Sequence, residues 1–208
     1  MRLAPPHLEV MGGFHPVPGD GAPEGAGTIL MLGPAEPGGF WQALTASPEW
    51  RDGRPDPLDR WSVRVIGGFA DEIGAEALYP FGGPPYAPFI AWARRTGRCH
   101  PSPVGLLVHD EAGLWISFRG ALAFRERLDL PPAPPSPCKG CPAPCLTACP
   151  PRALTGTGYD VPACRAFVRA DRACRDGCLV RASCPVSKAW GRAPDQSRHH
   201  MNAFAGTA

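Results

Sequence analysis

Eight of the nine cysteines in this 208-residue chain fall between Cys138 and Cys184, and that crowding limits what the C-terminal third can become. Residues 131–208 hold few large aliphatic side chains, and a piece of that size cannot bury enough apolar area to stand by itself. The cysteines must therefore supply its cross-links, as metal-bound thiolates or as disulfides. An odd count, and an N-terminus (MRLAPPHLEVMGGFHPVPGD) without the basic-then-apolar pattern of a secretory leader, argue against a secreted disulfide framework. The expected setting is the reducing cytoplasm, where clustered cysteines hold metal. No run of about 18 apolar residues is present, so no membrane association is expected.

The spacing narrows the metal. In CKGCPAPCLTACPPRAL, Cys138, Cys141, Cys145 and Cys149 are separated by two, three and three residues, and Pro150 follows. Cys164, Cys174, Cys178 and Cys184 come next, with Pro185 after the last. This resembles the bacterial ferredoxin pattern C-x2-C-x2-C-x3-C-P, in which the fourth cysteine of one run ligates the cluster of the other. One extra residue between Cys141 and Cys145 departs from it. Two cysteine-proline endings imply two [4Fe-4S] clusters, and the exchange rule assigns Cys138, Cys141, Cys145 and Cys184 to cluster A and Cys149, Cys164, Cys174 and Cys178 to cluster B. Asp160 before Val161 and Pro162 is a helix N-cap that turns Cys164 toward cluster B. Two tetrahedral zinc sites are the alternative, but zinc favours paired CxxC knuckles, often with histidine, and this chain has one CxxC. Disulfides are the other alternative. Cys99 is left over as a spare thiol.

Charge is unevenly spread. Residues 1–130 carry 11 Lys and Arg against 15 Asp and Glu, and residues 131–208 carry 10 against 4. Two oxidised clusters with four thiolates each would add about −4, offsetting most of the C-terminal excess locally. No recognition helix, stacking platform or dense basic run accompanies it, so nucleic acid is not the expected partner. Arg152, Arg165, Arg175 and Arg181 stand among the cysteines and would raise cluster potentials by stabilising the reduced state, although each also suits a solvated surface.

Ahead of the cysteines the chain has the makings of an α+β domain. Residues 1–27, rich in Gly and Pro, are expected to form an irregular arm. TILMLG (residues 28–33) has the form of a buried strand, GGFWQALTASPEW and DPLDRWSVRVIGGFADEIG are helical, and in the latter Leu58, Trp61, Val65, Phe69 and Ile73 share a face. AEALYPF suggests a short strand, and PFIAWARRTG a helix capped by Gly97. PVGLLVHDEAGLWISFRGALAF suggests two strands joined at Asp110–Gly113 as a hairpin. LDLPPAPPSP is expected to be an extended connector that joins neither core, which puts the domain boundary near residue 131: 28–130 for the first domain and 131–208 for a small, mostly helical second one.

The run VGLLVHDEAGLWISFRGAL, then LDLPP, then the cysteine run and YDVPACRAFV, resembles epoxyqueuosine reductase in order and spacing. DPLDRWSVRVI and HDEAGLWISFRGAL are similar as well to cblC-type cobalamin-processing chaperones. The resemblance spans about residues 28–185. It implies a nitroreductase-derived, cblC-like α/β domain that binds cobalamin, or flavin in its place, joined to a ferredoxin-like two-cluster domain. It also supports the pairing of Cys149 with Cys164. The segment before the LLV strand is HPSPVG where that family has a Gly-Lys-Asn type sequence, no match to the family's catalytic acid is found, and its tRNA-binding helical repeats have no counterpart after Cys184. Queuosine tRNA reduction is therefore not expected. The expected role is iron–sulfur electron transfer to a redox partner protein, or to a cofactor in the first domain; the alternative is a cobalamin- or flavin-dependent reductase, or a corrinoid-processing protein, acting on a small molecule. No catalytic residue is assigned. His100 and His109 could ligate cobalt or move protons but suit ordinary surface positions better; Trp115 and Phe118 suit a core, FGGPPY a turn, and the tail with Met201 and Phe204 a cover over the clusters.

Overall fold

The computed structural model describes residues 2–37 and 39–206. In chain order the elements are β1 (Leu8–Phe14), β2 (Thr28–Pro34), α1 (Gly39–Thr45), α2 (Pro48–Arg51), α3 (Pro57–Ile73), β3 (Glu76–Leu78), α4 (Phe89–Arg95), β4 (Cys99–Pro101), β5 (Leu107–His109), β6 (Gly120–Phe124), a 3-10 turn (Pro144–Leu146), β7 (Leu154–Thr155), β8 (Gly158–Tyr159), α5 (Val161–Ala170), α6 (Arg172–Arg175), α7 (Leu179–Ser183), α8 (Pro185–Trp190) and α9 (Pro194–Ala205). The class is mixed α+β, and every strand pair is antiparallel. The chain divides into two compact units: Met1–Ala35, Gly39–Arg98 and Ser117–Pro134 form the first, and Glu36–Gly38, Cys99–Ile116 and Pro135–Ala208 the second. The division differs from a single cut near residue 131, because residues 99–116 pack with the cysteine-rich segment.

The first unit is built on a four-stranded sheet in the order β1-β2-β6-β3. β2 is buried along its whole length, as expected of a central strand with the uninterrupted apolar run ILML. Alternation sends Leu30, Leu32, Leu122 and Phe124 into a core with Trp61, Ile66, Phe69, Phe40 and Leu44. Helix α3 supplies the first three of these. It begins with Pro57 in its first turn, where a missing N–H costs nothing, and ends at Gly74 in the left-handed conformation (φ 70°). Its buried face is Trp61, Ser62, Ile66, Phe69 and Ala70, with Leu58, Val65 and Ile73 at the rim. On the other sheet face, Phe14 meets Trp92 of α4 at 6.2 Å between ring centroids.

Three expectations are corrected in this unit. Part of the arm expected over residues 1–27 is β1: residues 8–14 pair with β2 through a register shift between Val10 and Gly12. Gly12 has φ 142° and its Cα lies so close to Thr96 that a Cβ would sit 2.8 Å from the threonine Cβ, so the glycines are what let this strand form. The connector expected to join neither core is docked, since Leu128 and Leu130 pack on the main core. The Leu128 N–H donates to Thr28 Oγ1 at 2.9 Å, and that hydroxyl donates to the Glu126 carbonyl at 2.8 Å. Finally, β5 and β6 are not a hairpin: β6 pairs with β2 and β3, whereas β5 pairs with β4.

In the second unit β4 and β5 form a small hairpin with Cys99 opposite His109 and His100 opposite Val108. The loop after it folds tightly, His109 and Gly113 exchanging both backbone hydrogen bonds at 2.9 and 3.0 Å. Gly113 has φ 57°, and a Cβ there would lie 2.4 Å from the Ser187 nitrogen. Only glycine meets both demands. The next residue, Leu114, donates its N–H to Ser187 Oγ at 2.8 Å, and its carbonyl accepts from Arg181. Thus α7 and α8 are tied to the loop that carries Leu114.

Candidate metal centre

Each cysteine of the second unit is placed by local backbone chemistry. Cys138 and Cys141 close a turn, the Cys141 N–H donating to the Cys138 carbonyl at 3.2 Å. The extra residue before Cys145 is absorbed between Pro142 and Pro144 by Ala143, which takes the left-handed conformation (φ 53°), a strained choice for a residue with a Cβ. Cys145 then lies in the 3-10 turn. Asp160 caps α5 by accepting from the Ala163 N–H at 2.9 Å, as its sequence position suggests, and this fixes Cys164 in the first turn. Cys174 lies in α6, and Cys178 and Cys184 are the N-caps of α7 and α8. The proline after Cys184 has a simple reason: it occupies the first helical position, whose N–H has no intrahelical acceptor.

These placements gather the eight thiols into two groups of four. Burial, then the neighbouring Cys141, Cys184 and Cys145, push the Cys138 thiol up from its ordinary range. Cys145 is raised by burial, with Cys184 and Cys141 adding to it. Burial comes first for Cys174 too, followed among the cysteines by Cys178, Cys164 and Cys149. Cys164 is raised by burial, and Cys178 and Cys149 add to that. Cys138 and Cys145 share the neighbours Cys141 and Cys184, and Cys164 and Cys174 share Cys149 and Cys178. Raised thiol values mean that, without a cation, the grouped thiolates repel one another in a poorly hydrated place. Positive charge placed among them removes that penalty.

The first group surrounds a cavity. Its volume is about 270 Å³, and Cys138, Cys141, Cys145 and Cys184 all line it together with the apolar Val108, Leu114 and Val186. The second group is covered by α9, from which Met201 and Ala205 pack with Val168, Phe167 and Leu179 around Cys164 and Cys174. Tyr159 is hydrogen-bonded to Cys164, and burial together with that thiol holds its hydroxyl well above the usual phenol range. The Arg181 guanidinium is enclosed nearby. Burial lowers its value, while Cys178 and Tyr159 act to raise it.

Compared with protein-family models, with curated proteins and with solved structures, the chain finds no match.

The donor set itself fits an iron–sulfur cubane in each group. Four thiols per group is the ligand count that a [4Fe-4S] cluster needs, and the first group stands around a walled space. Among the described residues no three His, Cys, Asp or Glu side chains are spaced to hold one metal ion.

The other candidate residues are dispersed. Cys99 is buried on β4 opposite His109, a neighbour of the cysteine-rich segment and not outside its unit. His109 is fully buried and not at the surface. Its Nδ1 accepts the N–H groups of Glu111 and Ala112 at 3.1 Å each, which puts the ring proton on Nε2, 3.2 Å from Asp110 Oδ1. That ring organises a turn. His100 has its Nε2 enclosed without a hydrogen-bond partner. Trp115 is half-buried under the Arg192 guanidinium, 5.1 Å from the ring centroid, and Phe118 is half-buried in the first unit. In FGGPPY the Tyr86 side chain is exposed. One residue that spacing does not single out, Ser102, lines the cavity of the first group.

Proposed function

We propose that this chain is an iron–sulfur electron-transfer protein whose second unit holds two [4Fe-4S] clusters, A on Cys138, Cys141, Cys145 and Cys184 and B on Cys149, Cys164, Cys174 and Cys178. The observation that carries this reading is the gathering of eight thiols into two fours, one of them around a cavity of about 270 Å³. When bound, the clusters would supply one-electron storage each. The protein's part is to hold the ligands, exclude water and set the charge around them. Val108, Leu114 and Val186 keep one side of group A apolar, and α9 does so for group B. Arg181 places an enclosed cation beside Cys178, which favours the more negative, reduced state of B.

Anaerobic reconstitution tests the reading. About eight irons and eight sulfides per chain are expected, with a broad visible absorption that bleaches on reduction. Stoichiometric zinc without sulfide would sink it. A cytoplasmic setting, a redox partner protein and the nitroreductase-derived, cblC-like assignment of the first unit belong to the same proposal. So does its second form, in which the clusters feed cobalamin or flavin in the first unit. That form rests on the sequence resemblance, and titration of the reduced holoprotein with cob(II)alamin and with flavins separates it from a plain carrier: spectral change marks a reductase.

A further inference from the structure

Ser102 follows β4 and is held from both sides by its own backbone. Its N–H donates to the Leu106 carbonyl and its carbonyl accepts from the Gly105 N–H, each at 2.9 Å, with Gly105 in the left-handed conformation (φ 76°) that closes the turn. The side chain is 8% exposed. Its hydroxyl oxygen is enclosed and has no hydrogen-bond partner in the protein. A buried hydroxyl left so is costly, and native proteins seldom retain one without a use.

The cavity that Ser102 lines limits what its hydroxyl can meet. Ser102 lines the same cavity as Cys138, Cys141, Cys145 and Cys184. Apart from those thiols, the only other polar side chain on that lining among the described residues is Lys139, which is exposed; the remainder are prolines, Gly140, Ala143 and the aliphatic Val108, Leu114 and Val186. The side-chain acceptors that this lining offers are therefore sulfurs.

We propose that Ser102 sets the reduction potential of cluster A by donating its O–H to a thiolate or sulfide sulfur at the cavity wall. This rests on the iron–sulfur reading above. Reduction adds one electron to the cluster and leaves the proton on the serine oxygen. Because the reduced cluster is more negative, it accepts the stronger hydrogen bond, and the potential rises. Cluster B has no share in this contact: its hydroxyl is Tyr159 and its enclosed cation Arg181. The two clusters are thus tuned by different groups.

The experiment is an anaerobic redox titration of the reconstituted full chain, followed by visible absorption and by electron paramagnetic resonance, for wild type, Ser102→Ala and Ser102→Thr. In Ser102→Ala one of the two potentials is expected to fall by about three- to tenfold in the reduction equilibrium, roughly 30 to 60 mV for a one-electron couple. The other should stay put, and Ser102→Thr should restore the first. The near-isosteric pair Ser102→Thr and Ser102→Val, which exchanges a hydroxyl for a methyl, reads the same effect should the alanine variant fail to load. Unchanged potentials, equal shifts in both clusters, or a threonine variant that behaves like valine would overturn the proposal while leaving the clusters in place. A wild-type chain that takes up no iron and sulfide would remove the iron–sulfur reading itself, and this inference with it.

Discussion

Ser187 Oγ accepts the backbone N–H of Leu114 at 2.8 Å across 73 residues of chain, and Ser187 is 2% exposed. The bond ties the loop that walls the cavity lined by Cys138, Cys141, Cys145 and Cys184 to the helix that Cys184 caps. Ser187→Ala would strand a buried donor, which costs about 1–3 kcal/mol. Chemical denaturation of wild type and variant measures this directly. Gly113→Ala should cost at least as much, because it combines a left-handed backbone with a Cβ forced against the Ser187 nitrogen.

The pairing of ligands can be read from double replacements. With excess iron and sulfide, Cys184→Ser and Cys138→Ser should each leave about four irons per chain, and the two together should still leave about four. Cys184→Ser combined with Cys149→Ser should leave close to none. If instead the first double variant loses all iron, Cys184 belongs with the second group and the assignment fails.

Arg181 should matter to one cluster only. Its guanidinium is enclosed, bonded to the Leu114 carbonyl and close to Cys178. Replacing it with glutamine removes the positive charge from the side of cluster B, so one potential should become more negative by on the order of 60 mV, a decade in a one-electron equilibrium. A variant with both potentials intact would show that the charge is screened.

The first unit carries its own acid-sensitive contact. Arg64 meets Glu49 through Nε at 2.5 Å and through its second nitrogen at 3.0 Å. The Arg64 guanidinium beside Glu49 lowers its carboxyl from 4.5 to about 2. A depressed carboxyl stabilises the fold fully above its unfolded value and loses that contribution as pH falls through the folded one. Stability of the first unit should therefore drop between about pH 4.5 and 2. Arg64 is half exposed, so solvent screening limits the contribution to about 1 kcal/mol. Thermal melts of wild type and Glu49→Gln across that range should converge at the acid end.

Strong periodicity made much of this fold legible. β2, α3 and α4 lie where their apolar patterns put them, and Asp160 caps α5 because its carboxylate precedes Val161 and Pro162. Other features had little local signal. β1 depends on Gly12 passing Thr96 at close range, a contact made across 84 residues. GLLVH finds its partner in RCHP, a segment whose cysteine and proline carry little strand preference, so the hairpin drawn to GALAF joined the wrong neighbours. Ser102 was invisible for a different reason: a serine beside two prolines looks like any turn, and the cysteines that share its cavity lie at least 36 positions further along.

The interleaving of the two groups has a consequence for assembly. All four thiols of the proposed cluster B lie inside the stretch between Cys145 and Cys184 that the proposed cluster A would close into a loop. Filling A shortens the excursions open to residues 146–183, so the chain entropy that B must overcome is smaller afterwards. By linkage, filling B helps A by the same factor. When iron is scarce the population should divide into chains carrying both clusters and chains carrying neither, with half-loaded molecules rare.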